Sequence, residues 1–386
     1  MESLKNKVAI VGVGYTPQGR VAGRSPLSFH VEAARNAIED AGLKVNDVDG
    51  VLTQPPGDAP RLGPWQIAQQ LGLRIRFGSQ QSAMGGTAGC MIFHAAAALV
   101  HGLADYVVCT YGESPLSGGR GPGRYGRGRG ENIAFGWFGA TAGYALAARR
   151  GMHEFETGAE TWSQIAVAQR QWANLNPRAA MHDKVMTFED YYNSRIYVDP
   201  FRQFDICLVS DGGRAFVMTT AERAKDCRHR PVYVLGVGQD HPSTDIVQAD
   251  FMAGPIGSKV SGEEAFRMAG VTLKDVDACE IYDCFTYTVE LTMMGHGFFG
   301  PGEGKDFFAN GRAAPGGELP VNTSGGLLSE VYLMGFTPLT EAVVQLQGRA
   351  GERQLGVATK TKEPEIILVS GNGGVLTTHS TVILGR

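Results

Sequence analysis

The sequence has little that would tie it to a metal, an oxidising compartment, a nucleic acid or a bilayer. Its six cysteines, Cys90, Cys109, Cys207, Cys227, Cys279 and Cys284, are scattered, with no C-x-x-C pair among them. That spacing argues against a zinc site or a disulfide framework, so no metal site and reduced thiols in a cytoplasmic setting are expected. An excess of positive charge is also missing. At a formal net charge of −4 there is no electrostatic reason to expect a nucleic acid or an anionic membrane as partner. No apolar run reaches the roughly 18 residues of a membrane span, and the short polar start Met1–Lys7 has no secretory-signal pattern. No Walker lysine follows a glycine loop. The strand Val8–Val13 ends in Gly12-Val13-Gly14, but the third glycine of a dinucleotide fingerprint is absent and Tyr15-Thr16-Pro17 reads as loop. Nicotinamide binding is therefore not expected.

What is present is glycine and apolar patterning. Of 386 residues 53 are glycine, well above the usual ~7%, which implies many tight turns and close backbone approaches. A composition of 43% hydrophobic and 19% charged residues at this length suits an α/β protein with two closely packed halves. Ser25-Pro26 starts a helix over Leu27–Ala41 that stops at Gly42. A strand over Val48–Thr53, a short helix over Trp65–Gln70 and a strand near Arg76–Gln80 follow. The small, glycine-rich Gln81–Gly89 then feeds an alanine-rich helix, Cys90–His101, and the strand Ala104–Thr110. Further on, helices are expected over Glu131–Arg150 and Met152–Trp172, with Thr157 and Thr161 as candidate caps. Cys207–Val209 reads as strand-like, Asp211-Gly212-Gly213 as the opening of a helix–strand unit, and Val232–Val237 as a strand.

The order echoes itself. Ala41-Gly42, Asp47-Val48-Asp49 and a strand return as Ala269-Gly270, Asp275-Val276-Asp277 and a strand. Gly85-Gly86, a helix, Gly102 and the strand Tyr106–Thr110 return as Gly325-Gly326, the helix Leu339–Leu346, Gly348 and the strand Glu365–Ser370. Two coincidences in one order favour a duplicated α/β unit, divided here as 1–238 and 239–386. Chemistry in such proteins gathers where strands give way to helices. Cys279–Phe285 is such a switch, delivering Tyr282 and Asp283 ahead of the helical run Thr286–Met294, and Asn322–Tyr332 is a second glycine-rich approach. Two readings of Tyr282 and Tyr332 stand: phenols facing each other across a pocket, or packing tyrosines, the commoner fate. The arginine-rich stretch Ser117–Gly130, with Arg120, Arg124 and Arg127, suits a phosphate, a solvated crossover or a second subunit.

Six segments together carry a resemblance that spans essentially the whole chain. They are K-V-A-I-V-G-V-G at 7–14, G-G-T-A-G at 85–89, Y-G-E at 111–113, Y-D-C-F at 282–285, N-T-S-G-G-L-L-S at 322–329 and G-N-G-G-V-L-T-T-H-S-T-V-I-L-G-R at 371–386. With them the sequence resembles the thiolase fold, and more narrowly the lipid-transfer, sterol-carrier-associated thiolase-like proteins. The resemblance implies duplicated halves in a five-layer αβαβα arrangement. Where working thiolases place a nucleophilic cysteine, Gln81–Gly89 offers only Ser82, Met84 and Thr87. The histidine of their H-D-C-F-type motif, or its equivalent asparagine, is Tyr282, the histidine of their G-H-P motif is Tyr332, and their C-terminal cysteine or histidine loop reads Ser370–Gly374. Thiolytic Claisen chemistry is therefore not expected.

Tyrosines at both positions resemble the thiolase-like aldolases that shorten steroid side chains. That resemblance implies retro-aldol cleavage of a β-hydroxyacyl-CoA to a ring ketone and propionyl-CoA, by tyrosine acid–base catalysis without a covalent nucleophile. It makes Tyr282 and Tyr332 the proton-transfer residues. The sequence does not distinguish their roles; Tyr282, at a strand end, is taken as proton acceptor and Tyr332 as enolate-side donor. His296, His379 and Asp283 are further candidates, and Asn322 either orients a water or carbonyl or serves a turn. The thioester's CoA would be met by Arg120, Arg124, Arg127, Gly85, Gly86, Gly325, Gly326, Gly371, Asn372 and Gly373, with no tightly bound cofactor. The resemblance also implies a homodimer and a small OB-fold acyl-CoA-associated partner, linked to an acyl-CoA hydratase. Two other functions remain open: a non-catalytic lipid or acyl-CoA binder, and an acyltransferase using Ser82 or Cys284.

Overall fold

The computed structural model describes residues 4–57, 59–118, 130–243, 246, 254, 256–356 and 359–386. The strands are β1 (Val8–Tyr15), β2 (Gly50–Gln54), β3 (Phe77–Gln80), β4 (Tyr106–Glu113), β5 (Ile196–Val198), β6 (Phe201–Arg202), β7 (Gly212–Thr220), β8 (Val232–Asp240), β9 (Ala278–Ile281), β10 (Ile366–Gly373) and β11 (Thr378–Gly385), most of them apolar and rich in β-branched residues. Between them lie α1 (Pro26–Asp40), α2 (Pro64–Leu71), α3 (Thr87–Val100), α4 (Ala140–Glu154), α5 (Ala159–Asn174) and α6 (Phe188–Asn193). The later helices are α7 (Ile256–Ala269), α8 (Thr286–His296), α9 (Gly304–Phe308), α10 (Gly326–Ser329) and α11 (Phe336–Leu346). Local chemistry sets several of these limits. The Ser25 side chain accepts the Ser28 N–H at 3.2 Å ahead of Pro26 at the start of α1, and Gly72 and Gly297 close α2 and α8 in the left-handed region.

Nine strands form one sheet in the order β3-β2-β4-β7-β1-β8-β11-β10-β9. Within it β2 runs parallel to β3 and β4, and β9 parallel to β10, while β7 and β11 return antiparallel. A short antiparallel ladder between β1 and β8, Ala9 opposite Tyr233 and Ile10 opposite Val232, joins the two halves. The helices α3 and α11 touch strands from both halves, whereas α1 covers β1, β4 and β7, and α7 covers β8 and β11. Helices therefore lie outside each half-sheet and between them. The apolar clusters follow the same division. One joins Leu52, Met91, Leu339 and Val382 in the middle, one lies under α1, and one lies beneath α7 and α8.

The sequence echo has a counterpart in hydrogen bonds. Asp49 accepts the N–H groups of Asp105 and Tyr106 at 2.8 and 3.1 Å and pairs with Arg76 at 2.6 Å. Asp277 accepts the N–H groups of Glu365 and Ile366 at 2.8 and 3.0 Å and pairs with Lys362 at 3.1 Å. In each half an aspartate just before a strand ties down the start of the strand parallel to it.

Three expectations are corrected. The helix over Met152–Trp172 is two helices, because Glu156 turns left-handed and Gly158 caps α5, while the Thr157 hydroxyl bonds to the Glu290 carboxylate. Cys207–Val209 is not a strand; only Ile206 bridges to Phe285. Asp211-Gly212-Gly213 opens no helix, since β7 begins at Gly212 and the Asp211 carboxylate accepts the N–H groups of Val21 and Leu116 at 2.9 and 2.8 Å. The position 238/239 lies inside β8. Among the described residues no helix is long and apolar enough to cross a membrane.

Candidate active site

The site begins where β9 runs out. The Tyr282 N–H donates to the Ser370 carbonyl at 2.8 Å, continuing the parallel ladder one residue past Ile281. The Tyr282 ring then lies over Gly85, where a Cβ would collide with both the ring and the Asn372 carbonyl. Asp283 turns inward and accepts the N–H groups of Leu327 and Leu328 at 2.9 and 3.1 Å. This seats α10, and Gly326, at φ +62°, leaves room for the carboxylate that a side chain would fill. Behind it Asn322 Oδ1 accepts the Ile281 N–H at 2.6 Å. The chain leaves α10 and presents Tyr332, whose N–H donates to Ser210 Oγ at 3.3 Å.

The two phenols meet. Tyr282 and Tyr332 share a hydroxyl–hydroxyl hydrogen bond of 2.8 Å, with rings edge to face at 6.3 Å between centroids. Met334 Sδ lies 3.2 Å from the Tyr332 hydroxyl and 3.7 Å from that of Tyr282. Tyr144, Phe285, Leu327, Val375 and Leu376 pack into the same apolar cluster. The phenol-bearing residues retain only 4% and 7% of their surface. Burial raises both phenols well above the ordinary tyrosine value, with Tyr332 adding to the effect on Tyr282, and Cys207 and Glu113 adding to that on Tyr332. A standing phenolate is thereby disfavoured, and the pair is neutral at rest. Backbone strain collects nearby: Met84, Met334, Val375 and Leu376 all have positive φ, and for the β-branched Val375 this is a costly conformation.

Two thiols border the phenols, yet neither is poised to attack. Burial raises Cys284 to about 12 and lifts Cys207 well above its ordinary value, so the nucleophilic thiolate is scarce. Cys90, on α3, is raised to about 11 for the same reason. Asp283 is raised to about 7 by burial, against the pull of its amide bonds.

The remaining candidates divide by the strand's two faces. His379 lies on β11 between Thr378 and Ser380, whose hydroxyls donate to the Ala83 and Gly86 carbonyls at 2.9 Å each. Strand alternation points His379 the opposite way, against Gly257 of α7, with Nε2 3.1 Å from the Leu376 carbonyl. His296, in the last turn of α8, faces Gly262 of α7. Burial lowers these histidines to about 4 and about 3. The structure does not bring either to the phenol pair. Gly85, Gly371 and Gly373, read as candidate CoA contacts, approach one another closely. A Cβ on Gly371 would meet the Gly85 carbonyl at 2.6 Å, and one on Gly373 would meet the Gly85 nitrogen at 2.8 Å. Gly86 accepts from Ser380, and Gly325 lies against Ala173. Arg120, Arg124 and Arg127 lie outside the described residues. Among the described residues no cluster of three or more His, Cys, Asp and Glu side chains is placed to hold a metal.

Sequence reasoning missed Tyr144, Met334 and Cys207 as neighbours of the phenols. Tyr144 sits in an ordinary alanine-rich helical run, A-T-A-G-Y-A-L-A-A, and no local signal marks it.

Residues 238–386 match the family model described as Thiolase C-terminal domain-like. A steroid side-chain-cleaving aldolase of Thermomonospora curvata is 35% identical, over 100% of this chain and 99% of its own. A 17-hydroxy-3-oxo-4-pregnene-20-carboxyl-CoA lyase of Mycobacterium tuberculosis is 33% identical, over 99% of this chain and 100% of its own. The solved Ltp2-ChsH2(DUF35) aldolase superposes with a TM-score of 0.89 at 32% identity, covering 100% of this chain and 99% of that one. A monomeric SCP2-thiolase-like protein of Mycobacterium smegmatis shares the fold, with a TM-score of 0.75 at 20% identity over 98% of this chain and 77% of that one. With matches of this extent and identity, the chain belongs to the thiolase superfamily, among the steroid side-chain-cleaving aldolases.

Proposed function

We propose that the chain is a retro-aldol carbon–carbon lyase that cleaves the side chain of a steroid β-hydroxyacyl-CoA to a ring ketone and propionyl-CoA. The observation that carries this reading is the 2.8 Å hydrogen bond between the hydroxyls of Tyr282 and Tyr332. Retro-aldol cleavage moves one proton off the substrate hydroxyl and puts one onto carbon. As the O–H proton leaves, its electron pair forms the ketone. The adjacent C–C bond breaks, and that pair becomes the thioester enolate, which is protonated at its α-carbon. Tyr282 accepts the hydroxyl proton while passing its own to Tyr332, and Tyr332 donates to the enolate carbon. Both phenols stay neutral at the start, as their burial requires, and no covalent intermediate is needed.

The apolar surroundings, Tyr144, Phe285, Val375, Leu376 and Met334, suit a rigid hydrocarbon skeleton. The substrates named for the relatives from T. curvata and M. tuberculosis, a steroid side chain and a pregnene carboxyl-CoA, support the same substrate class. The CoA portion enters as part of the substrate. A homodimer is proposed, as is a small OB-fold acyl-CoA-associated partner linked to a hydratase, in keeping with the two-part name of the Ltp2-ChsH2(DUF35) aldolase. A cytoplasmic setting suits six cysteines that are all free. The division into 1–238 and 239–386 is supported by the paired Asp49 and Asp277 ties and by a family match that starts at residue 238.

The test incubates the protein and its small partner with a panel of β-hydroxyacyl-CoA thioesters. Ketone and short acyl-CoA should appear in equal amounts. Tyr282→Phe and Tyr332→Phe should each lower kcat by about 10²–10⁴, with acyl-CoA binding retained. Binding without turnover in the unaltered protein would instead identify a carrier, and a trapped acyl adduct on Cys284 or Ser82 would identify a transferase.

A further inference from the structure

We propose that Tyr144 and Asn372 form a two-residue brace that positions Tyr282, an inference that rests on the retro-aldol reading of the phenol pair. The parallel ladder between β9 and β10 ends with the bond from Tyr282 N–H to Ser370. Beyond it the Asn372 side chain takes the place of a backbone partner. Its Nδ2 donates to the Tyr282 carbonyl at 3.3 Å, and its Oδ1 accepts the Tyr144 hydroxyl at 2.8 Å. These bonds fix the amide's orientation, since a flipped side chain would set oxygen against the Tyr282 carbonyl. Thr288 Oγ1 lies 3.1 Å from that carbonyl as well. The N–H and C=O of Tyr282 are thus both tied, and the phenol's direction follows from a fixed backbone.

Tyr144 reaches this point from α4, a different part of the chain from β9 and β10. Its ring lies 4.7 Å from that of Phe285, which stacks on Phe201 at 4.8 Å, so the rotamer is held by aromatic packing as well as by the amide. Asn372 is central in a second sense, because its backbone carbonyl rests over Gly85, against which the Tyr282 ring also lies. The brace therefore sets where the Tyr282 hydroxyl stands relative to Tyr332. Proton relay depends steeply on that placement, whereas binding of a large apolar substrate does not. Loss of the brace should appear in kcat and leave KM in place. Tyr144 and Asn372 are positioning residues, acting through Tyr282.

Three variants test this. Tyr144→Phe removes the hydroxyl and keeps the ring. Asn372→Asp keeps the acceptor for Tyr144 but sets a carboxylate oxygen against the Tyr282 carbonyl. Each should lower kcat by about tenfold with KM within about twofold, and the double variant should be no slower than Asn372→Asp alone, because the two act as one unit. Thermal midpoints near that of the unaltered protein establish that the variants fold. An unchanged kcat, or losses that multiply in the double variant, would overturn the brace. Failure of the unaltered protein to cleave any thioester counts against the retro-aldol reading instead. The brace then stands or falls on 3-fluorotyrosine placed at position 282, whose ¹⁹F resonance should shift or broaden in Tyr144→Phe. A resonance identical in both proteins refutes it.

Discussion

Asp283 stands beside a proposed catalytic phenol, yet its bonds are those of a structural residue: two backbone N–H groups at the start of α10. Burial holds its carboxyl at about 7. Since the folded value exceeds the unfolded one, the group contributes its full stability below about pH 4 and loses it as pH climbs through about 7. Asp283→Asn removes that dependence. In urea titrations the stability difference between the unaltered protein and Asp283→Asn should therefore fall by roughly 2–4 kcal/mol between pH 4 and 7 and then level off. His296 and His379 slope the other way but are common to both proteins and drop out of the difference. A flat difference would mean that the carboxyl titrates in its ordinary range. The sequence made Tyr282 and Tyr332 conspicuous through their settings, the Y-D-C-F segment at a strand end and the glycine-rich approach Asn322–Tyr332. It did not reveal the phase of β11, which turns Thr378 and Ser380 toward the site and His379 away from it. Nor could it show Tyr144 arriving from α4, since that contact joins residues more than two hundred positions apart.

Among the elements, the paired aspartate ties were the most legible feature, visible in the sequence as Asp47-Val48-Asp49 and Asp275-Val276-Asp277. Their partners were not, because a backbone N–H at the start of a parallel strand has no sequence signature. Asp49→Ala and Asp277→Ala each leave two strand-start amides without their acceptor. Each should cost about 1–3 kcal/mol in chemical denaturation. The ties sit in separate halves with no shared partner, so the double variant should add to within about 0.5 kcal/mol. A strong departure from additivity would show that the halves are coupled through these loops. Glycine was the least legible element. Gly85, Gly371 and Gly373 read as places of close backbone approach, and they pack against one another where a Cβ would stand; the sequence did not show which backbone comes close, because a short approach looks the same whichever backbone makes it.

At the scale of the molecule, the two halves join at the β1–β8 ladder and close around a helical middle. All eleven residues of α11 are buried there, polar ones included. Glu341 is gripped by Arg353 through two bonds of 2.9 Å, the Gln345 amide donates to Thr323 and to the Arg353 carbonyl at 3.0 Å each, and the Thr340 hydroxyl donates to the Phe336 carbonyl at 2.7 Å. A helix so enclosed has no face from which water can enter by fraying. Its amide protons should be the slowest in the protein to exchange with deuterium, escaping only when the whole chain opens. Their rates would then report the global unfolding free energy directly, and early labelling of α11 would show that the halves can part while the rest stays folded.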